Sequence, residues 1–485
     1  MSSILTDHQK MYSNGRWVEA ISGQYIEVMN PATGEVIGSV PAGDRPDAAA
    51  AIDAADKAFK PWAGKTPQER SDYLYKTYEK LVERADEIAA ILTAEQGKPL
   101  QEAKGEVLFA AEYFRWYSEE AKRVYGETIP APTPAKRLMV IRQPIGVVVA
   151  ITPWNFPALM IARKIAPALA AGCPIVLKPA ELTPLTAIAI FQIFEEVGFP
   201  AGVANLVTGV GSVLGPEFLE NIKVKKITFT GSTAVGKYLL KGSADQMKKV
   251  SLELGGHAPF IVFDDADIDA AVEACIISKF RNAGQTCICS NRIFIQDPIL
   301  GLFSEKLAEQ VKKLKMGNGS AEGVDVGPLI DERALNKVHE HVQDAVAKGA
   351  KLVTGGSKWK ADSLDGSFYL PTILRDVDDS MLICHEETFG PVAPLISFST
   401  EEEVLEKANN SNYGLASYVF TNDLGRAFRV SEGLESGMVG VNDPLPTVAQ
   451  SLFIGWKESG VGYEGGKYGM DQYLEMKYIS MLLNG

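Results

Sequence analysis

"GVVVAITPWNFPALMIARKIAPALAAGCPIVLKPAE", residues 146–181, passes from a β-branched run through a helical stretch into a second short apolar run. Neither run alternates apolar with polar residues. A strand that is apolar throughout is buried on both faces, as happens when helices cover both sides of a parallel sheet. The pattern repeats downstream in "ANLVTG" (204–209), "KITFTG" (226–231) and "APFIVF" (258–263). Helical stretches such as "TAIAIFQIFEEVG" (186–198) and "GSTAVGKYLLKGSA" (231–244) separate these runs. The expected architecture is a doubly wound α/β sheet, in which ligands bind at the carboxyl ends of the strands.

Residues 45–122 before this region read as amphipathic helices, with Ala, Leu, Glu and Lys at helical spacing, after a turn-rich start. A second α/β region follows over 252–440, with "RIFIQ", "KLVTGG" and "ASYVFTN" as strand candidates. The segments "RVYGETIPAP", "KRLMVIRQP" and the tail "QYLEMKYISMLL" are strand-like and need a pairing partner, which a neighbouring subunit would provide. No period of about 20–50 residues recurs, so no solenoid is expected. The 485 residues suit about three domains at roughly 150 each.

A hydrophobic content of 46 % with 22 % charged residues describes a soluble globular protein. The opening MSSILTDHQK has no secretory pattern, and the most apolar region is interrupted by Pro153, Asn155, Arg163, Lys164 and Pro167. No membrane partner is expected. A net charge of −13 argues against a nucleic-acid partner. Five irregularly spaced cysteines read as reduced thiols, with the cytoplasm as the default location.

Three junctions carry candidate chemistry. In "KITFTGSTAVGK", Gly231 and Gly236 flank a helix start, where free N–H groups can meet a phosphate. In "PIVLKPAELTP", Lys178 and Glu181 follow a buried strand, and an acidic residue there commonly accepts from ribose hydroxyls. In "FRNAGQTCICSNR" (280–292), Cys287 and Cys289 stand two apart. They read as half a metal site, a disulfide, a redox pair or a nucleophile with a bystander. The segment holds no third cysteine and no histidine, and His8, His257, His339, His341 and His385 form no ligand pair with it, so no metal is expected. A nucleophile needs a base and an oxyanion donor. Glu253 in "SLELGGHAP" and Asn155 in "TPWNFP" are residues of those types.

Together, "NPATGE", "AEQGKP", "TPWNFP", "LKPAE", "FTGSTAVG", "LELGG", "GQTC", "EETFGPV" and "KESGVG" resemble the aldehyde dehydrogenase superfamily along nearly the whole chain. The resemblance implies an aldehyde-dehydrogenase-like fold: a Rossmann-type cofactor domain (1–122 and 143–251), a catalytic domain (252–440), an oligomerisation arm and tail (123–142 and 465–485) and a substrate loop and linker (441–464). It implies Cys287 as the nucleophile, Asn155 with the Cys287 N–H as oxyanion donors, and Glu253 as the base that hydrolyses the thioester. The cofactor would lie on Thr152, Pro153, Trp154, Lys178, Pro179, Ala180 and Glu181. Further contacts would come from Gly211, Gly231, Ser232, Val235, Gly236, Leu254, Glu387 and Phe389. NAD is expected over NADP, because Glu181 would repel a 2′-phosphate, although Lys178 could soften the repulsion.

Within that family, "FRN-GQTC-C-NR" and "WNFP…RK" are similar to the succinate-semialdehyde subgroup, which implies Arg281 and Arg163 as the grip on a distal carboxylate. Thr447, in the divergent loop "PLPTVAQSLFIGWKESG", would supply a hydroxyl. The expected substrate is a short ω-oxo acid, with succinate semialdehyde first. Glutarate or 2-oxoglutarate semialdehyde and hydroxyaldehydes are the alternatives, and a non-catalytic member is disfavoured because the three catalytic types are retained. A homodimer or homotetramer follows from the resemblance. Cys289 would be either a packing residue or a resolving thiol for Cys287.

Overall fold

The computed structural model describes residues 8–361 and 364–483. Its first sheet has five parallel strands, in the order Ala204–Leu206, Ile175–Lys178, Val147–Ile151, Val224–Thr230, Lys249–Glu253. The chain winds outward in both directions from Val147–Ile151, so the strand order reverses beside it. The crevice at that reversal, outside the carboxyl ends, is where such sheets bind ligands. Thr152–Asn155 and Gly231–Ser232 lie at that edge.

Short antiparallel strands flank the five. Met11–Ser13 and Arg16–Val18 extend one side, and Gly460–Val461 caps the other. The first pair is joined by Asn14–Gly15, both at positive φ, as a two-residue type I′ hairpin requires. A second hairpin, Tyr25–Met29 with Val36–Pro41, occupies most of the stretch that reads as turns in sequence.

The helix Pro157–Ala171 is buried at all fifteen positions, which explains why its sequence is apolar nearly all round. Proline opens it and Gly172, at φ +100°, ends it in the left-handed conformation. Leu100–Glu120 packs across it. Glu106 on that second helix accepts from the N–H groups of Ala158 (2.9 Å) and Leu159 (3.2 Å), capping the buried helix from outside its own chain segment.

Only four residues separate Glu253 from Ala258–Val262, the first strand of a second sheet. That sheet has seven strands, six of them parallel, with Ser290–Gln296 beside Ala258–Val262. Glu253 and the loop before Ser290 therefore meet at the seam between the two sheets.

The expectation that the arm and tail need another subunit to pair is corrected here. Leu474–Leu482 pairs antiparallel with Lys136–Pro144 in the same chain, from Leu474↔Pro144 to Leu482↔Lys136. Glu127–Ile129 adds the third strand. The sheet still exposes Met476, Tyr478 and Leu482. Among the described residues, no helix is long and apolar enough to cross a membrane.

Candidate active site

The loop before Ser290 is built on unusual backbone. Asn282, Ala283 and Gly284 are consecutive left-handed residues, at φ +51°, +53° and +74°. Side-chain hydrogen bonds hold this turn in place. The Asn282 N–H donates to Glu102 Oε2 (2.9 Å), its Nδ2 donates to the Asn155 carbonyl (2.9 Å), and its Oδ1 accepts from Gln96 (2.9 Å). Gln285 accepts from the Ile330 N–H (2.9 Å) and donates to the Pro328 carbonyl (3.3 Å). The turn thus delivers Cys287 to the crevice from a clamped base.

Asn155 is fixed from both ends. Its Nδ2 donates to the Gln285 carbonyl (3.0 Å), leaving the second amide hydrogen uncommitted. Its own carbonyl accepts from Lys98 Nζ (2.8 Å). That ammonium is fully buried, pairs with Glu106 at 2.6 Å, and lies 3.8 Å from the centre of the Phe156 ring.

Cys287 lines a cavity of about 280 Å³, together with Arg163, Arg281, Thr447, Phe156, Phe453, Glu102 and Glu106. Burial pushes its thiol up to about 12; Glu387 and Glu253 add to the push and the Arg163 guanidinium opposes it. Glu253 is 1 % exposed, and neither carboxylate oxygen has a hydrogen-bond partner. Burial and the Glu464 carboxylate push it well above the ordinary range, against the pull of Arg163 and Lys164. Glu387 accepts from the Gly256 N–H at 3.2 Å, and burial raises it to about 7. Phe389, at φ +54°, sets its ring edge-on to Trp154 with centroids 5.6 Å apart.

The two arginines differ. Arg163 Nε lies 2.9 Å from Glu464 Oε2, and the guanidinium stacks 3.8 Å from the centre of Phe453. Arg281 rests near Phe156 (5.5 Å), makes no ion pair among the described residues, and has a buried Nε without a partner. Cys289 is fully buried, with its sulfur 3.3 Å from Lys279 Nζ.

The remaining expected residues gather on the crevice edge of the first sheet. The Thr152 N–H donates to the Lys178 carbonyl (3.1 Å), with Pro153 and Trp154 following. Past Pro179 and Ala180, Glu181 Oε1 lies 2.8 Å from Lys178 Nζ and accepts from the Gly211 N–H at 2.6 Å. The Gly231 N–H donates to the Glu253 carbonyl (3.0 Å), and Ser232 caps the next helix by accepting from Val235 (3.4 Å). A Cβ at Gly236 would lie 2.4 Å from Leu254, so only glycine lets that helix sit this close. The helices Gly211–Glu220 and Thr233–Ser243 begin at this edge, and the buried Thr152 hydroxyl has no partner among the described residues. Two helix N-termini and an orphaned buried hydroxyl at this edge fit a dinucleotide.

Several contributors carry no individual signal in the sequence. Lys98 and Glu106 read as charges of a surface helix, and Glu464 lies in a segment that reads as linker. Lys98 belongs to "AEQGKP", and that motif was its one available marker.

A dinucleotide-type sheet with a thiol at its seam defines the class, an NAD(P)-dependent dehydrogenase. The aldehyde dehydrogenase family model matches residues 17–479, and the chain belongs to that family, which oxidises small aldehydes with NAD(P) and is typically oligomeric. A glutarate-semialdehyde dehydrogenase of Pseudomonas putida is 54 % identical over 97 % of both chains. An NADP(+)-dependent succinate-semialdehyde dehydrogenase of Escherichia coli is 51 % identical, again over 97 % of both. The crystal structure of succinate-semialdehyde dehydrogenase from Burkholderia pseudomallei superposes with a TM-score of 0.97 at 50 % identity, covering 100 % of this chain and 99 % of that one.

The clamped turn gives a direct test. A Cβ at Gly284 would fall 2.2 Å from the Gly390 carbonyl oxygen, at a φ that disfavours side chains. Gly284→Ala is expected to cost about 2 kcal/mol or more and to lower Tm and kcat together. Gly349→Ala, at φ +112° with nothing within 4 Å, carries the backbone strain alone and should fall less in a thermal melt.

Proposed function

We propose that this enzyme oxidises a short ω-oxo acid to the dicarboxylate, with succinate semialdehyde the leading substrate and glutarate semialdehyde next. Arg281 carries the reading. It is a cation in the wall of the thiol's cavity, without an internal ion pair and with a buried, unpartnered Nε. Arg281 is half-buried, and a desolvated, unpartnered donor on a cation is best satisfied by an anionic ligand, for which a carboxylate suits the guanidinium fork. The named relatives support the same class. A hydroxyaldehyde would leave Arg281 unpaired. Arg163 serves as the second, weaker cation, because Glu464 already claims its Nε.

In this reading the Cys287 sulfur attacks the aldehyde carbon. The developing oxyanion is met by the uncommitted Asn155 amide hydrogen and the Cys287 N–H. A bound nicotinamide supplies the hydride acceptor. Glu253 then takes a proton from the water that splits the thioester, releasing the acid and restoring the thiol. Trp154 and Phe389 wall the nicotinamide end, and Thr447 lines the cavity near the substrate's distal carboxylate. Cys289, with its sulfur against Lys279, acts in packing rather than as a partner for Cys287.

The proposed dinucleotide is NAD. Against the upward push of burial, the Lys178 ammonium and the Gly211 N–H hold the Glu181 carboxyl below its ordinary range. The charge it keeps repels a 2′-phosphate, and Lys178, engaged with Glu181, offers that phosphate little relief. The proposed setting is a homodimer or homotetramer in the cytoplasm, consistent with five free cysteines.

Three outcomes follow. Arg281→Ala should raise KM for succinate semialdehyde by roughly tenfold or more while leaving propanal within about twofold. Equal shifts in steady-state assays would contradict carboxylate binding. Because Glu253 and Cys287 must both lose protons that their surroundings hold, kcat should climb from neutral into alkaline pH. Glu253→Gln should remove about 10²-fold or more of the turnover in a pH-rate profile. Finally, kcat/KM should favour NAD, and Glu181→Ala should narrow that gap; parity in the parent enzyme would refute the assignment.

A further inference from the structure

Beside the 280 Å³ cavity lies a wider one of about 660 Å³, bounded on its far side by the 320–326 segment. Two side chains line both cavities, Arg281 and Glu102. They form the partition between the thiol's chamber and the outer space. Glu102 is there by construction. Its Oε2 accepts from the N–H of Asn282, the residue after Arg281, at 2.9 Å. Its Oε1 makes no hydrogen bond among the described residues, so one carboxylate oxygen is uncommitted.

The surrounding charges are engaged with partners. Lys98 pairs with Glu106, which is also pinned by two helix N–H groups. Arg163 and Lys164 share Glu464. Arg281 and Glu102 are left over, with Glu322 and Asp325 lining the outer cavity. Burial pushes the Glu102 carboxyl up, while Lys98, the Asn282 N–H and Arg281 pull it back. A substrate carboxylate arriving at Arg281 would put two anions against one guanidinium, with no other free cation in the partition to balance the second.

We propose that Glu102 is a specificity-determining residue, an internal competitor for Arg281 whose charge limits how tightly the enzyme holds the distal carboxylate of its substrate. It touches none of the reacting atoms. It adjusts the preference for ω-oxo acids over neutral aldehydes, and so favours release of the doubly charged product over its retention. The inference rests on the reading that Arg281 receives that carboxylate.

Glu102→Gln removes the charge and keeps an oxygen for the Asn282 N–H. KM for succinate semialdehyde should fall roughly threefold or more, while KM for propanal stays within about twofold. Inhibition by succinate should strengthen in parallel. Glu102→Ala, which vacates the wall, should move the ratio of the two KM values in the same direction. A purely structural role would shift both aldehydes together, and that result, or an unchanged ratio in both variants, overturns the proposal. Arg281→Ala separates the two layers. If it lowers selectivity for the acid while the Glu102 variants do not raise it, Glu102 is excluded and the carboxylate reading stands. If Arg281→Ala leaves selectivity unchanged, the carboxylate reading falls and this inference with it.

Discussion

The buried ammonium of Lys98 is the interaction on which the site's geometry depends. A lysine with no solvent contact is stable only if partners replace its hydration, and here they are a carboxylate, a backbone carbonyl and an aromatic face. Each partner belongs to a different part of the machinery. Glu106 caps the central buried helix, the carbonyl is that of Asn155, and Phe156 lines the cavity. Taking away Glu106 would leave a buried charge unpaired, at a cost of several kcal/mol. The ammonium therefore fixes the helical layer against the strand end that carries Asn155.

The same logic, inverted, describes Glu253. Its neighbour Glu464 is saturated by Arg163, Lys164 and Thr228, whereas Glu253 has no hydrogen bond to either oxygen. Both cations contact Glu464, and neither hydrogen-bonds Glu253 among the described residues. The one that is fully paired stays charged and the other is held as a strong base. Division of labour between them follows from which side chain the cations reach.

Much of the fold was legible in the sequence because the strands Val147–Ile151 and Ile175–Lys178 are buried and apolar nearly throughout. The flanking strands at 11–18, 25–41 and 460–461 were not. They are short and carry little apolar pattern: the first and last owe their stability to the sheet edge they join, and the second is a separate two-stranded hairpin. Around the site, Cys287, Arg281 and Thr447 share a cavity as their motifs imply. Arg163 lines the same cavity, but its ion pair with Glu464, three hundred positions away, leaves no trace in any spacing. Glu102 and Glu106 stand four apart on an amphipathic helix, where a carboxylate facing a cavity and one facing water look alike.

The sheet formed by Lys136–Pro144 and Leu474–Leu482 has a temporal side. Leu474–Leu482 is translated more than three hundred residues after the strand it pairs with. Until Leu474–Leu482 emerges, one long edge of the earlier strand stays unpaired and open to misplaced pairing. Leu474–Leu482 thus covers late an edge that the growing chain exposes early.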